Sequence, residues 1–487
     1  MLPLQSVEIL RKLDKKELKR FGDFLSSPYF NNSDLILRIF DAVKKEHPEF
    51  DGKFLQSEKI FKKLYPGEEF KETRIQNLYS EFGGLLKKFM GYERIESKKS
   101  ELDIFIAEAL TKRDLNDISN KIILRSLSSY EDGSLYIPNS FVRLHRLNQN
   151  YLHNLDSLRQ QDTEEYLNIQ INGQKNLLIF FLTSFLEMCL TNSINNRLFD
   201  WKKNKIESFL EAINFEKVLE YIGDNFPEYK TFIKTIYLIY YYTEHPITPE
   251  QYYELKSGVL EIMDKVHRND KLFFIVRTIQ IILAKLVQID RRTFYREIFE
   301  LSKIFSEQQI FPNEVLKNLA IGPFRDMFTV AIILNEYDWA ENFVNEYSQY
   351  LNEEKRENEL NYSMGVLSFK RNDFEASLSY FNKLQLHDII EKVNVRFYYM
   401  MNYIELKAYE SALASLNTIR QFYTDRAEEI PEMFAVLIPN ALKYFGIVIK
   451  AEEKDEKIER YLIDEAKKSG RFYHVKYVLD KMEKRAG

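Results

Sequence analysis

Few residues in this sequence have types and spacing suited to chemistry, and they are scattered. The seven histidines are His47, His145, His153, His245, His267, His387 and His474, and no two stand four apart. A helical metal pair of the HExxH kind needs two imidazoles on one face at that spacing, so none is expected. His145 and His153 share an expected helix but lie over two turns apart, whereas a metal site asks for three or four convergent ligands. Cys189 sits between Met188 and Leu190 in an apolar run. A thiol there packs as a small hydrophobe and lacks the electropositive, partly exposed setting of a nucleophile. A single cysteine also excludes a disulfide framework and a multi-cysteine zinc site.

Gly83-Gly84 interrupts an apolar helical pattern, with no Lys-Ser/Thr after it and no strand before it, so it reads as close helix packing or a kink and not as a phosphate loop. Acid pairs such as Glu353-Glu354 and Glu428-Glu429 fall on charged helix ends and read as solvated faces. Four lysine doublets, Lys15-Lys16, Lys44-Lys45, Lys62-Lys63 and Lys87-Lys88, mark the N-terminal region. Residues 1–100 hold 20 Lys and Arg against 16 Asp and Glu, and the remainder 49 against 58. Such lysines could neutralise phosphates in a salt-sensitive nucleic-acid complex. The interspersed acids favour an ordinary solvated surface, and no helix-turn-helix or zinc-finger pattern is present. Tyr240-Tyr241-Tyr242 and Phe180-Phe181 are flanked by Ile and Leu, which points to helix packing and not to base stacking.

The elements that carry these residues are helices. Among 487 residues only 15 are Gly and 12 Pro, too few for the frequent turns of an all-β protein. Apolar residues recur at helical spacing throughout, as at Ile36, Ile39, Phe40 and Val43. Asp14 three residues before Glu17 predicts a capping box, Asn32 and Ser33 predict a cap for the helix that follows, and Pro66-Gly67 predicts a stop. Later helices are expected at about 102–113, 115–131, 138–160, 164–195, 204–224, 228–243, 249–267, 271–289 and 293–306, with turns at Asn269-Asp270, Asp290 to Arg292 and Pro312-Asn313. The N-terminus lacks a secretory pattern. The most apolar stretch, Leu177 to Leu190, has 14 residues and contains Glu187; Leu272 to Ile289 is broken by Arg277 and Lys285. A spanning helix needs about 20 apolar residues, so both read as core helices, and a cytoplasmic protein without a membrane segment is expected.

An internal repeat stands out towards the C-terminus. Asn361 to Leu384 aligns without a gap on Arg396 to Ile419 at an offset of 35, matching Phe374 with Tyr409, Ser377 with Ala412, Phe381 with Leu416 and Leu384 with Ile419. A third copy at Met327 to Tyr347 brings Tyr337, Ala340, Val344 and Tyr347, offset by 37. Each copy reads as two helices, the small residue letting the second approach the first. Met364-Gly365, Asp373-Phe374, Ser377, Phe381 and Leu384 fall at the signature positions of the tetratricopeptide family, which the chain resembles over about 100 residues. Ser377 stands for the small alanine, Met400 for the glycine, and the late proline is missing, so the repeats are degenerate. The whole pattern is also similar to uncharacterised bacterial helical-repeat proteins, which implies no activity.

The expected fold is all-α: an α-solenoid of degenerate tetratricopeptide-like hairpins behind an N-terminal helical bundle. Its expected parts are an N-terminal helical domain at 1–95, with the charged stretch Glu93 to Glu101 as boundary, a helical hairpin region at 96–310, and the repeat region with C-terminal capping helices at 311–487. The resemblance implies a non-enzymatic scaffold or adaptor for a protein or peptide partner, without cofactor or metal. Its groove-facing positions would be Arg325, Thr329, Tyr362, Val366, Phe369, Lys370, Asn394, Phe397, Met401 and Glu405. The family's carboxylate clamp uses Lys and Asn where this chain has Tyr362 and Val366, so that ligand class is not expected. The same residues could instead pack inside the chain. The competing readings are a regulator binding nucleic acid through its basic N-terminal helices and sensing a partner through the repeats, and an enzyme without a linear motif.

Overall fold

The computed structural model describes the chain except residues 1, 51–55, 98, 132–137, 200–207, 267, 313–317, 387–388, 431–435 and 471. The described residues are helical almost throughout and contain no β-strand, only an isolated bridge between Ile458 and Ala486. Two compact units divide at residue 181, within one long helix.

In the first unit the helices are α1 Leu4–Lys12, α2 Lys15–Ser26, α3 Asp34–Val43, α4 Ser57–Leu64, α5 Glu72–Glu96, α6 Lys99–Thr111, α7 Asn116–Glu131 and α8 Pro138–Ser157. The Asp14–Glu17 capping box forms, with Lys16 N and Glu17 N donating to Asp14 and Asp14 N to Glu17. The cap foreseen for α3 is built differently: the side chains of the flanking Ser33 and Asn32 do not cap it, and Asn31 braces the turn. Asn31 accepts from Ser33 N at 3.0 Å and donates to Leu25 O at 2.8 Å. Ile36, Ile39, Phe40 and Val43 join α1, α2, α4 and α5 in one core in which Phe21 meets the rings of Phe40, Phe82 and Phe89. A second core gathers Ile104, Ala107, Ile123, Leu147, Tyr151 and Leu155. The charged stretch Glu93 to Glu101 lies between these cores, and the compact unit continues through it.

The second unit begins within α9, Glu164–Phe199, and continues with α10 Ser208–Glu211, α11 Phe215–Asn225, α12 Pro227–Glu244, α13 Pro249–Met263, α14 Arg268–Ile281 and α15 Arg291–Glu307. The helix expected over 204–224 is interrupted, because Asn214 accepts from Lys217 N at 3.1 Å and so starts α11 afresh. After α14 comes a π-helical turn, Ile282–Leu286. Its Lys285 donates to the carbonyls of Tyr242, Thr243 and His245 at 2.6, 2.9 and 2.5 Å, satisfying the open C-terminus of α12. Three hairpins follow: α16 Ile321–Ile333 with α17 Tyr337–Tyr347, α18 Glu353–Lys370 with α19 Phe374–Phe381, and α20 Ile389–Glu405 with α21 Tyr409–Asp425. The chain closes with α22 Leu437–Lys454, α23 Arg460–Ser469 and α24 Val475–Lys484.

The three hairpins turn in the same way. Asn335, Asn372 and Lys407 take left-handed φ values of 63, 64 and 58°. The next N–H reaches back to a carbonyl of the first helix each time, Glu336 to Ala331 at 2.9 Å, Asp373 to Ser368 at 2.9 Å and Ala408 to Tyr403 at 2.8 Å. Five residues after the left-handed position stands the small residue, Ala340, Ser377 or Ala412, fully buried. Ser377 Oγ donates to Gly365 O at 2.9 Å and accepts from Asn402 Nδ2 at 3.0 Å.

The same device recurs far upstream. Asp114 has φ 58°, Leu115 N reaches Leu110 O at 3.1 Å, and Ser119, five residues on, donates to Ala107 O and accepts from Asn154 Nδ2, both at 3.1 Å. Asn154 precedes the left-handed Arg159 by five residues, as Asn402 precedes Lys407.

Candidate functional site

The first helices of the three hairpins, α16, α18 and α20, carry the ten residues expected on a partner-facing surface. Arg325 of α16 donates to Glu359 of α18 at 2.7 Å and to Glu391 of α20 at 2.6 Å, and its guanidinium lies 5.7 Å from the Tyr362 ring centre. Glu359 is buried, and the pairing offsets the cost of taking its carboxylate out of water. Burial draws the Arg325 pKa down, and the two carboxylates more than reverse that, leaving it raised. The charges line a cavity of about 560 Å³ with Glu353, Glu357 and Lys383. Asn394 donates to the Tyr362 hydroxyl at 2.7 Å, and burial pushes that phenol up to about 12. Thr329 is exposed. At this end the surface is polar and ion-paired.

The other end is apolar and covered. Val366, Phe369, Phe397 and Met401 are buried. The chain's own C-terminal segment meets two of them and the neighbouring Tyr398: the Tyr473 ring stacks on Phe397 with centres 5.1 Å apart, His474 meets Tyr398 at 4.9 Å, and Tyr477 meets Phe369 at 5.9 Å. Lys481 of α24 pairs with Glu405 at 2.9 Å, and Lys370 feels the charges of Lys476 and Asp480. His474 itself takes a left-handed φ of 53° at the head of α24, and its Nε2 is buried with no hydrogen-bond partner. Burial, and then the charge of Lys370, pull its pKa down to about 3, so the ring is neutral. α24, which packs chiefly on α22 and α23, and the two residues before it therefore meet α18 and α20 at Phe369, Phe397, Tyr398 and Glu405. The sequence signal for this was the aromatic run Phe472-Tyr473-His474 ahead of an amphipathic helix whose buried positions are Val478 and Met482.

The remaining chemistry-bearing residues are dispersed. Among the described residues no group of three or more His, Cys, Asp and Glu could hold a metal ion. His47, His145 and His245 donate to the carbonyls of Leu13, Gly173 and Tyr241 at 2.9, 2.8 and 3.0 Å; His267 and His387, like Asn313 of the expected turn, lie outside the described residues. Cys189 and Leu190 are buried, whereas Met188, expected to share their burial, is exposed on the opposite side of α9. Exposed Leu167, Ile171, Leu177 and Phe181 also lie on α9, the one described helix long and apolar enough by composition to cross a membrane. Gly83 is a close-packing site, since a Cβ there would stand 3.2 Å from Ser6 Oγ. The lysine doublets are exposed, and the groove between α2 and α3 that Lys15, Lys19 and Lys44 line also holds Asp23 and Asp41. Tyr241 stacks on His245 and Tyr237 on Phe215, so the tyrosine-rich face of α12 is spent on packing. Comparison of the chain with models of protein families, with curated proteins and with solved structures finds no match.

Proposed function

We propose that the chain is a non-enzymatic interaction scaffold, an α-solenoid of degenerate hairpins that holds a protein or peptide segment on the inner face of α18 and α20. The observation that supports this reading is the way the chain's own residues 473–481 sit there. Aromatic rings fill the space between Phe369, Phe397 and Tyr398, and a lysine one helical turn after Tyr477 reaches Glu405. A face that accepts a short amphipathic helix in this way accepts partners of the same chemistry, with aromatic residues on one side and a basic residue one turn on. In this reading the C-terminal helix competes with the partner, and its release governs access.

The test uses a synthetic peptide of residues 472–487 added in trans to the full chain. A Tyr477→Ala/Lys481→Ala variant, in which α24 is loosened, binds the labelled peptide about tenfold or more tightly than the parent in fluorescence anisotropy. Adding Glu405→Lys to that variant, which sets a cation against Lys481 of the peptide, weakens the binding by about tenfold or more. A peptide that binds neither protein, or binds the Glu405→Lys form equally well, refutes the reading.

A further inference from the structure

Of the three charges that interrupt the most apolar stretches of the sequence, the fold brings two, Glu187 and Arg277, to one cavity in the second unit. α9 contributes Glu187 and α12 contributes Phe232. α14 contributes Asp270, Phe273, Phe274 and Arg277, whose spacing puts them on one helix face. The space they line is about 190 Å³.

The three charged groups line one cavity without pairing. Asp270 Oδ2 is buried with no hydrogen-bond partner. Burial pushes Asp270 up to about 6. Burial, and then the charge of Asp270, push Glu187 up to about 7. The Arg277 guanidinium donates to Gln280 Oε1 at 2.9 Å and lies 5.9 Å from the Phe273 ring centre; burial pulls its pKa down. A carboxylate beside a guanidinium shifts down and the guanidinium up, so all three shifts run opposite to those of a salt bridge. Burying charge without pairing it is costly, and a fold that does so at three groups around one cavity is matched by a ligand that pairs them.

We propose that this cavity binds a free α-amino acid, its ammonium between Glu187 and Asp270, its carboxylate on Arg277 and its side chain against Phe232, Phe273 and Phe274. A simple amine would leave Arg277 unmatched, and a simple carboxylate would leave both acids unmatched. Arg277 has donors to spare, since a guanidinium carries five and Gln280 takes one. The volume falls below the roughly 300–1,000 Å³ of sites for drug-sized ligands, which suits a single amino acid and excludes a peptide. Three phenyl rings favour an apolar side chain.

Isothermal titration calorimetry of the full chain against the standard L-amino acids, with leucinamide and isocaproate as analogues, tests this. An apolar amino acid such as L-leucine binds. Leucinamide, which lacks the carboxylate, and isocaproate, which lacks the ammonium, bind about tenfold or more weakly. Glu187→Gln and Arg277→Gln each weaken L-leucine by about tenfold or more, and each raises the melting temperature of the ligand-free chain by removing an unmatched charge. The proposal is overturned if no amino acid binds, or if leucinamide binds as tightly as L-leucine. It is overturned equally if both variants keep the parent affinity, or if they melt below the parent.

Discussion

Replacing Gly365 with alanine tests whether the hairpin contact is as close as the repeat register demands. Gly365 lies in the body of α18, where alanine is favoured over glycine by about 0.5–1 kcal/mol. A Cβ there would stand 2.9–3.0 Å from three atoms of the Phe381 ring. That ring cannot step aside, since it is buried and held against Tyr398 at 5.1 Å and Tyr362 at 6.3 Å. Helix separation is pinned as well, because Ser377 Oγ donates to the Gly365 carbonyl. Overpacking of this kind costs about 1–3 kcal/mol. Gly446, in the body of α22, provides the control: its Cβ would meet only Leu416 Cδ2, at an ordinary 3.5 Å. Helix propensity cancels between the two substitutions, so Gly365→Ala should be less stable than Gly446→Ala by about 1–3 kcal/mol. Gly446→Ala alone should be stabilised by about 0.5–1 kcal/mol. Native-state hydrogen exchange is the assay of choice, because a chain of two units need not unfold in one step. Adding Phe381→Leu to Gly365→Ala should recover most of the overpacking cost in a double-mutant cycle. If Gly365→Ala gains as much stability as Gly446→Ala, the close approach of α18 and α19 is wrong and the repeat register loses its physical basis.

Three further outcomes are expected. Glu187 has its pKa pushed from 4.5 to about 7, so the folded state holds its proton more tightly than the unfolded chain, and stability falls as pH rises from about 4.5 to about 7, by at most about 3 kcal/mol; Glu187→Gln should flatten that slope in melting curves taken between about pH 5 and about pH 8. Arg325→Met leaves the buried Glu359 carboxylate without its cation and should cost about 3 kcal/mol in urea unfolding, whereas Arg426→Met, at an exposed pair with Glu429, should cost less than about 0.5 kcal/mol. Ala412→Leu should cost about 1–3 kcal/mol, with faster hydrogen exchange around residues 390–425 and none at residues 2–95, because Ala412 is fully buried where α21 packs on α20.

What could be read from the sequence was local. Helical periodicity marked the helices, and the offset of 35 between hairpins reappears as the interval between the left-handed Asn372 and Lys407. The cognate device at Asp114, Ser119 and Asn154 was invisible, because it is made of a left-handed backbone at Asp114 and two polar side chains, Ser119 and Asn154, that meet each other and the Ala107 carbonyl. No apolar pattern registers such a match. The ten expected surface residues illustrate a second limit. Phe369 and Phe397 would have the same identity facing a foreign helix or the chain's own, so the rings of Tyr477 and Tyr473 that meet them could not be read from the sequence. The cavity of Glu187 and Arg277 shows a third. Each charge was visible as an interruption of an apolar run, but their convergence depends on how α9 and α14 pack.

Lysine 285 is chemically silenced by its place in the fold. An ammonium has three protons to donate, and here three main-chain carbonyls of Tyr242, Thr243 and His245 surround it. The unprotonated amine is what attacks an acylating reagent, so this nitrogen must first leave the carbonyls and shed a proton before it reacts. Those carbonyls close the end of α12, which makes the labelling rate of one lysine a clock for the fraying of one helix. The exposed doublets Lys62-Lys63 and Lys87-Lys88 would be modified early and report nothing about folding. Lys285 would be modified late, and its adduct would count how often the last turn of α12 comes undone in an otherwise native molecule.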